Sequence, residues 1–426
     1  MSVNNLFQQQ MPESALPQFN FEEAAQRLSH VVKRTPLTYN AGLSKRYKAE
    51  IYLKREDLQI VRSYKLRGAY NMMSSLPQDF LDKGVVCASA GNHAQGFAYS
   101  CKLLGVKGTV FMPVITPKQK VRQTEMFGDG HVTIRLFGDT FDDCSREVVR
   151  FSEATGQIII PPFEHLKIIE GQGTVAVEIL EDLPDVDYVF VPVGGGGLCA
   201  GTGTYLKSVS PLTKIIGVEP AGAPSMTEAF NEGGPVMLAS IDSFVDGAAV
   251  KKVGSLTYEI ARKVLDQMVT VPEGKVCTTI LSLYNENAIV AEPAGALSVA
   301  ALDTFAEEIK GRKVVCVLSG GNNDIDRMQE IKERSLLYEQ LKHYFLINFA
   351  QRPGALKEFV NNVLGENDDI VRFEYMKKNN KDTGPALVGI ELHDSDNFQP
   401  LIQRMKSAGF QYSELNKDKI LFSHLI

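Results

Sequence analysis

The stretch DYVFVPVGGGGL, residues 187–198, passes from an apolar run directly into four consecutive glycines. An apolar run of this length, bounded by glycines, is typical of a buried strand. From about residue 50 to residue 335, such runs alternate with segments of helical periodicity. This alternation predicts an α/β fold with a mainly parallel sheet and helices on both faces. The predicted strands are IYLK, GVVCAS, GTVFM, VTIRLF, QIIIP, DYVFVPV, KIIGVEP and KVVCVLSGG.

The four glycines are the first candidate for a binding site, because ligands in such folds bind beyond the carboxyl ends of the strands. They would leave backbone N–H groups open at a helix N-terminus, and such an anion site commonly takes a phosphate. Gly195, Gly197 and Ala200 also fit the dinucleotide pattern G-x-G-x-x-A. Glu219 ends the next predicted strand, as that pattern requires. A nicotinamide-linked oxidoreductase is therefore an alternative at this point.

Two other strand ends and one lysine favour a different phosphate ligand. SAGNHAQG, residues 89–96, follows one predicted strand, and SGGNN, residues 319–323, follows another. Lys65 stands in VRSYKLRGAYNMM, residues 61–73, among residues that are suited to burial. Such a lysine either points to solvent or is desolvated, and a desolvated amine has a lowered pKa and is nucleophilic. Pyridoxal 5'-phosphate, an aldehyde that carries a phosphate, accounts for the lysine, the glycines and both junctions together.

Each part of pyridoxal phosphate has a candidate partner in these motifs. Lys65 supplies an amine for the aldehyde, and residues 194–198 supply an anion site for the phosphate. Ser319 would face the ring nitrogen, although a helix N-cap explains this serine equally well when it is taken alone. A hydroxyl cannot hold that nitrogen protonated as a carboxylate would, which favours loss of a β-substituent over transamination. Asn92 would donate to the ring hydroxyl, and its loop suits a substrate carboxylate.

Composition narrows the class of protein. The net charge of −6 disfavours nucleic acid and anionic membranes as partners. No apolar run has the length of a transmembrane helix, and the first residues lack the features of a signal peptide, which indicates a cytoplasmic protein. The six cysteines occur singly and the seven histidines have no metal-ligand spacing. Neither a disulfide framework nor a zinc site is therefore expected.

A second region begins near residue 336 and has six predicted elements. These are the strand HYFLINFA, the helix RPGALKEFVNNVLG, the strands IVRFEYMKK and GPALVGIELH, the helix NFQPLIQRMKSAG and the strand KILFSHLI. The order βαββαβ is typical of an α+β ferredoxin-like domain. Pro353 would stand in the first turn of its helix, where a missing N–H costs nothing.

Four motifs in order, SYKLRGAY, SAGNHAQG, GGGGL and SGGNND, resemble those of the serine/threonine dehydratases of the fold-type II pyridoxal-phosphate family. The C-terminal region, with FAQRPGAL, resembles the ACT-like regulatory domain of the biosynthetic threonine dehydratases, in a short form with one such domain. The resemblance implies a catalytic domain of two α/β subdomains over residues 1–335, the smaller inserted at about 60–157. It implies an ACT-like domain over residues 339–426.

The resemblance also implies roles for single residues. Lys65 would bear the Schiff base and act as the base at Cα. The residues that would hold the cofactor with it are Asn92, Gly194, Gly195, Gly196, Gly197, Leu198 and Ser319. Those that would bind the substrate carboxylate are Ser89, Gly91, Asn92 and His93. Ala90 replaces a second serine of the related serine racemases, which disfavours racemisation. Ser225 replaces an acid of the cation site found in some relatives, so no metal is expected.

The function that the resemblance implies is the deamination of L-threonine to 2-oxobutanoate and ammonia, the first step of isoleucine biosynthesis. Serine is a second candidate substrate. Isoleucine, with valine as a second candidate, would be the allosteric ligand, and a homotetramer the assembly. The alternatives are a serine dehydratase, a β-replacement enzyme on the same scaffold, an amino-acid sensor with a vestigial catalytic domain, and an NAD-linked oxidoreductase.

Overall fold

The apolar run ahead of the four glycines forms the strand β7, Tyr188–Pro192, inside a six-stranded sheet. The structure is a computed structural model that describes residues 16–377 and 381–416. The sheet has the order β1-β2-β10-β7-β8-β9, and all of its pairs are parallel except the antiparallel pair of β1 and β2. Its other strands are β1, Leu37–Tyr39; β2, Glu50–Arg55; β8, Lys214–Pro220; β9, Gln267–Val271; and β10, Lys313–Leu318.

A second, four-stranded parallel sheet has the order β5-β4-β3-β6. Its strands are β3, Val85–Ala88; β4, Gly108–Met112; β5, Val132–Leu136; and β6, Ile158–Ile159. Each of the two sheets packs its own apolar core, one around Val191 and Val317 and the other around Val85 and Val110. The predicted fold class, two α/β subdomains with mainly parallel sheets, is therefore confirmed.

Helices connect the parallel strands, as the alternating pattern predicts. Between β1 and β10 the helices are Ala41–Tyr47, Lys65–Ser74, Gln78–Leu81, Asn92–Leu104, Lys118–Gly128, Phe141–Thr155, Leu166–Asp182, Gly197–Val209, Ser225–Glu232, Ser255–Val264, Glu273–Asn287 and Pro293–Ala300. A further helix, Phe21–Leu28, precedes β1. Among the described residues, no helix is long and apolar enough to span a membrane. All six cysteine side chains are buried.

The helix Leu166–Asp182 holds the helix that begins at Lys65 in place. It packs against both Lys65–Ser74 and Gly197–Val209. These crossings are close because glycines face the neighbouring backbones: a Cβ at Gly171 would lie 2.6 Å from the carbonyl oxygen of Arg67, and one at Gly173 would lie 2.8 Å from that of Gly201. Larger residues at these two positions would force the helices apart.

Contacts divide the chain into two units between Asp324 and Ile325. The second unit begins with the helix Met328–Tyr338 and has an antiparallel sheet of the order β12-β13-β11-β14. Its strands are β11, Lys342–Ala350; β12, Asp369–Tyr375; β13, Thr383–Glu391; and β14, Gln411–Glu414, with helices Ala355–Val363 and Phe398–Ser407 after β11 and β13. This is the predicted ferredoxin-like order. The predicted last strand, KILFSHLI, lies outside the described residues, and β14 was not predicted.

Two strands of the large sheet were missed. β1 has three residues, none of them buried, and β9 is an edge strand in which only Val271 is buried. Neither strand shows a buried apolar run, so periodicity could not mark it. Conversely, the predicted strand QIIIP is longer than the observed strand, because only Ile158 and Ile159 pair with β3.

Candidate active site

Residues from six separate stretches of the chain line one small cavity in the first unit. Lys65 and Asn92 come from two helix N-termini, Gly194 follows β7, and Ser319 follows β10. The other lining residues are Tyr64, Pro192, Gly247, Ala248, Glu292 and Ala294. The cavity thus lies beyond the carboxyl ends of β7 and β10, as parallel α/β sheets predict.

Lys65 is the first residue of its helix, and its half-buried side chain lines the cavity. Its Nζ donates a hydrogen bond to the carbonyl oxygen of Pro162 at 3.0 Å. Burial lowers the pKa of Lys65 to about 8, against the opposing effect of the Glu292 carboxylate. An amine with this pKa is partly unprotonated at neutral pH and can act as a nucleophile or a base. Of the two readings of this lysine, the structure supports the desolvated one.

The glycine stretch forms a turn that leaves no room for side chains. Gly196 has φ +91°, in the left-handed region, and is the N-cap of the helix Gly197–Val209. A Cβ at Gly196 would lie 2.9 Å from Cβ of Thr257, and one at Gly194 would lie 2.9 Å from Cα of Ala248. The Thr257 hydroxyl donates to the carbonyl oxygen of Gly195 at 2.7 Å, which fixes the turn.

This turn fits a phosphate. The first N–H groups of a helix have no partner within the helix, and the helix dipole is positive at this end. Gly194 lines the cavity, and residues 195–198 continue from it into the helix. An anion held by these backbone groups would therefore sit at the same cavity as the amine of Lys65.

The loop after β3 brings Asn92 to the cavity and keeps His93 out of it. Asn92 begins its helix, and the Ser89 hydroxyl accepts the Gly91 N–H at 3.3 Å. The ring of His93 is buried, its Nε2 lies 2.9 Å from the Ile160 carbonyl oxygen, and burial lowers its pKa to about 3. Its imidazole therefore stays neutral. Ser89, Gly91 and His93 do not line the cavity, whereas Asn92 does.

Ser319 is almost fully buried and is joined to the Lys65 segment through the backbone. Its carbonyl oxygen accepts the N–H of Tyr64 at 3.2 Å. Ser63 pairs with Gly320 in an isolated bridge next to this bond. The strand end that carries Ser319 and the helix start that carries Lys65 are thereby held side by side.

Sequence reasoning missed one polar residue of the cavity, Glu292. It precedes the helix Pro293–Ala300 and is 5 % exposed. Burial, together with the charge of the nearby Asp246, raises its pKa to about 7. The available signal was a single acid inside the apolar run IVAEPAGALSVA, residues 289–300.

Comparison with known proteins gives two family matches. The family described as pyridoxal-phosphate dependent enzyme matches residues 28–320. The family described as the C-terminal regulatory domain of threonine dehydratase matches residues 333–425. The two matches lie side by side along the chain, in the order that the sequence motifs predict.

Similar proteins agree with both matches. The biosynthetic L-threonine dehydratase IlvA of Bacillus subtilis is 59 % identical over 95 % of this chain and 96 % of its own length. That of Halalkalibacterium halodurans is 58 % identical over 95 % and 97 %. Among solved structures, the processed form of threonine deaminase isoform 2 from Solanum lycopersicum superimposes with a TM-score of 0.69, at 39 % identity over 76 % of this chain and 99 % of that one. The chain belongs to the pyridoxal-phosphate-dependent enzymes and, among them, to the family of biosynthetic threonine dehydratases.

Proposed function

We propose that this protein converts L-threonine to 2-oxobutanoate and ammonia, with pyridoxal phosphate as its cofactor. The observation that carries the proposal is that Lys65, Asn92, Gly194 and Ser319 line one cavity. Curated relatives that match nearly the whole chain are named for this activity. Serine is the competing substrate, because it differs from threonine by one methyl group and a pocket discriminates weakly against a missing methyl.

The cofactor would be held by the residues that meet at the cavity. The backbone N–H groups of residues 194–198 would take its phosphate, the Asn92 amide its ring hydroxyl, and the Ser319 hydroxyl its ring nitrogen. Ser89, Gly91, Asn92 and His93 belong to the loop that we assign to the substrate carboxylate, where the backbone rather than the buried His93 ring would make the contact. When bound, pyridoxal phosphate supplies the electron sink that weakens the Cα–H bond of an attached amino acid.

Lys65 would attach the cofactor in the resting enzyme and serve as the base during turnover. Its amine can lose a proton near neutral pH because burial lowers its pKa to about 8. The free amine takes the Cα proton of threonine onto Nζ, and the β-hydroxyl leaves with a proton as water. The released enamine then takes up one water and loses ammonia. Threonine is thus converted to 2-oxobutanoate and ammonia without net consumption of water.

The second unit would serve regulation by an amino acid. We assign isoleucine as its ligand and valine as the alternative, because an end-product amino acid suits a domain whose family is named as regulatory. The loop QRPGAL leads into the helix Ala355–Val363, and Gly354 caps it at φ +87°. Its backbone N–H groups would take the ligand carboxylate.

The remaining proposals concern the domain bounds, the oligomeric state and the cellular location of the protein. We propose a catalytic domain over residues 1–335, with the smaller subdomain at about 60–157, and a regulatory domain over residues 339–426. We also propose a homotetramer in the cytoplasm. The burial of every cysteine agrees with a reducing compartment, since none is exposed for pairing with another chain.

Spectroscopy and product analysis on the full-length protein test the lyase proposal together. We expect visible absorption from the bound cofactor, its loss on borohydride reduction, and formation of 2-oxobutanoate from threonine. Addition of a thiol during turnover separates elimination from β-replacement, since a β-replacement enzyme would form a thioether. Absence of visible absorption after incubation with pyridoxal phosphate, or absence of 2-oxobutanoate, would contradict the proposal.

A further inference from the structure

The carboxyl group of Glu292 is enclosed at the cavity by fixed backbone. The Glu292 N–H donates to the carbonyl oxygen of Gly320 at 3.1 Å, one residue beyond Ser319. A Cβ at Gly320 would lie 2.8 Å from Cδ of Glu292, and one at Gly247 would lie 3.5 Å from its Oε1. A side chain at Gly320 would overlap the carboxyl group, whereas one at Gly247 would only come into van der Waals contact with it. The fold therefore reserves a site for this acid next to Ser319.

Glu292 ends a chain of hydrogen bonds that runs through Asn92. The Nδ2 of Asn322 donates to Oδ1 of Asn92 at 2.7 Å, and the Nδ2 of Asn92 donates to Oε1 of Glu292 at 2.6 Å. A flipped Asn92 amide would set its oxygen against the carboxyl oxygen and its NH₂ group against the donor of Asn322. The two neighbours thus fix which end of the amide faces which way. One N–H of Asn92 is used by Glu292, and the other stays available at the cavity.

The charged and titratable groups that act on Glu292 come from several parts of the first unit. Lys65 and Tyr64 line the same cavity as Glu292. Asp246 and Lys120 form an ion pair with each other, and the charges of both affect the pKa of Glu292. Burial and the charge of Asp246 raise the pKa of Glu292, the hydrogen bond from Asn92 and the charge of Lys120 lower it, and the net result is a pKa of about 7. The carboxylate in turn counters the effect of burial on the pKa of Lys65. The cavity therefore holds an acid and an amine whose charges depend on each other.

We propose that Glu292 is a positioning residue of the active site: it aims the Asn92 amide at the cofactor ring, and its negative charge favours the protonated form of the Lys65 nitrogen. The proposal rests on the proposed function, because it gives Glu292 a task toward the same cofactor. It predicts two separable effects. The Glu292 oxygen that accepts the Asn92 N–H sets the affinity for pyridoxal phosphate. The ionisation of the Glu292 carboxyl group sets how the spectrum of the cofactor-bound protein depends on pH.

Four variants of the full-length protein, one of them a control, test these two effects. Glu292→Gln keeps an acceptor oxygen for Asn92 and removes the charge, whereas Glu292→Ala removes both. Glu219→Gln is the matched control: Glu219 is equally buried and burial raises its pKa to about 7, but it accepts the N–H groups of Met226 and Thr227 and does not line the cavity. Asn322→Ala is a further test, because it releases the other end of the Asn92 amide and leaves the carboxyl group.

The readouts are the dissociation constant of pyridoxal phosphate and the visible spectrum of each loaded protein, titrated across neutral pH. We expect Glu292→Ala to weaken cofactor binding by about tenfold or more, since a hydrogen bond to a charged group is lost. Glu292→Gln should restore most of that affinity but lose the spectral transition near pH 7 that we expect in the wild type and in Glu219→Gln. Asn322→Ala should weaken cofactor binding and keep the transition.

The outcomes distinguish this inference from the proposed function. If the wild type itself binds no pyridoxal phosphate, the proposed function fails. Suppose instead that the wild type binds pyridoxal phosphate. If Glu292→Gln then shows the same spectral transition as the wild type, and Glu292→Ala binds the cofactor with the same affinity, Glu292 has no positioning role. If neither Glu292 variant folds, Asn322→Ala decides, since unchanged cofactor affinity in that variant would overturn the hydrogen-bond chain on which the inference stands.

Discussion

The side chains of Arg67 and Glu56 form an ion pair in which both partners are completely buried. Nε of Arg67 donates to Oε2 of Glu56 at 2.9 Å, and Nη2 donates to Oε1 at 2.7 Å. A third bond, from Nη1 of Arg67, reaches Oε1 of Glu178 at 2.7 Å on the helix Leu166–Asp182. Arg67 stands two residues after Lys65 on the same helix. The network therefore anchors the helix turn that carries the reactive amine.

Arg67→Ala should be strongly destabilising, because it leaves the fully buried carboxylate of Glu56 without its cation, whereas Glu178 keeps its ion pair with Lys54. Loss of one partner of a buried ion pair costs about 3–5 kcal/mol. Arg34→Ala is the control: Arg34 pairs with Glu181 and Asp182, but its side chain is 52 % exposed, so its loss should cost less than about 1 kcal/mol. Thermal unfolding of the two variants measures the difference. Equal melting temperatures would show that the buried network contributes no stability.

Lys65→Ala should separate cofactor binding from catalysis. The variant should still take up pyridoxal phosphate through residues 194–198, but without the covalent attachment and without the base. Turnover of threonine should fall by about 10³-fold or more, since a general base alone contributes 10²–10⁴-fold. Lys102→Ala, at an exposed lysine paired with Asp129, should leave turnover unchanged. Steady-state assays with both variants decide, and near-normal activity of Lys65→Ala would refute the lyase proposal.

Gly196→Ala tests the phosphate site. The added Cβ would meet Thr257 at 2.9 Å and would force alanine into a left-handed conformation at φ +91°. Gly233→Ala is a matched control, since Gly233 also has a positive φ, +75°, but has open space around its Cβ position. We expect both variants to lose about 1 kcal/mol of stability from strain. Only Gly196→Ala should also lose cofactor affinity, which fluorescence titration with pyridoxal phosphate measures.

Ser319→Asp tests the partner of the ring nitrogen. A carboxylate at this position would hold the ring nitrogen protonated and strengthen the electron sink, at a cost because the site is almost fully buried. We expect slower elimination and accumulation of long-wavelength absorption during stopped-flow mixing with threonine. Ser319→Ala, which removes the hydroxyl without adding charge, should show no such accumulation. Spectra of Ser319→Asp identical to those of the wild type would exclude Ser319 as the ring partner.

Isoleucine should bind the full-length protein and weaken its affinity for threonine. The coupling between the two sites is expected to be about 1–3 kcal/mol and must be reciprocal, so a slow threonine analogue should weaken isoleucine binding by the same factor. A chain that ends at Leu337 should keep threonine turnover and lose the response to isoleucine. Calorimetry measures the binding. No heat from isoleucine or valine would remove the regulatory proposal and leave the lyase proposal intact.

The parts of the structure that could be predicted from the sequence are those with a strong local signal. The bounds predicted for β4 and β8 match the observed strands to the residue, because each is a short stretch rich in apolar residues between helical segments. Asn92, Gly194 and Ser319 are predicted to share a site because parallel strands bring their carboxyl ends to one edge, and Lys65 is added because pyridoxal phosphate needs an amine for its aldehyde. The structure brings the four residues to one cavity, while their contacts with a cofactor stay a prediction.

The parts that could not be predicted depend on tertiary contacts. Glu292 is 200 residues away from Asn92 in the chain, and only folding makes its carboxyl group a partner of that amide. The edge strand β9 has no buried run, and its pairing with β8 comes from the sheet rather than from its own residues. The resemblance to known enzymes implies candidate cofactor residues, and Glu292 is not among them.

The burial of all six thiols governs how the protein responds to oxidants. A thiol reacts as its thiolate, and burial raises the pKa of the thiols of Cys87, Cys101, Cys199 and Cys316 and keeps reagents out. Peroxide or an alkylating agent can reach these sulfur atoms only when the fold opens. The thiols of the folded protein are therefore unreactive, and the rate at which they are labelled measures how often the protein opens. The cysteines take no part in the proposed chemistry, so their labelling rate can report how fast the protein unfolds.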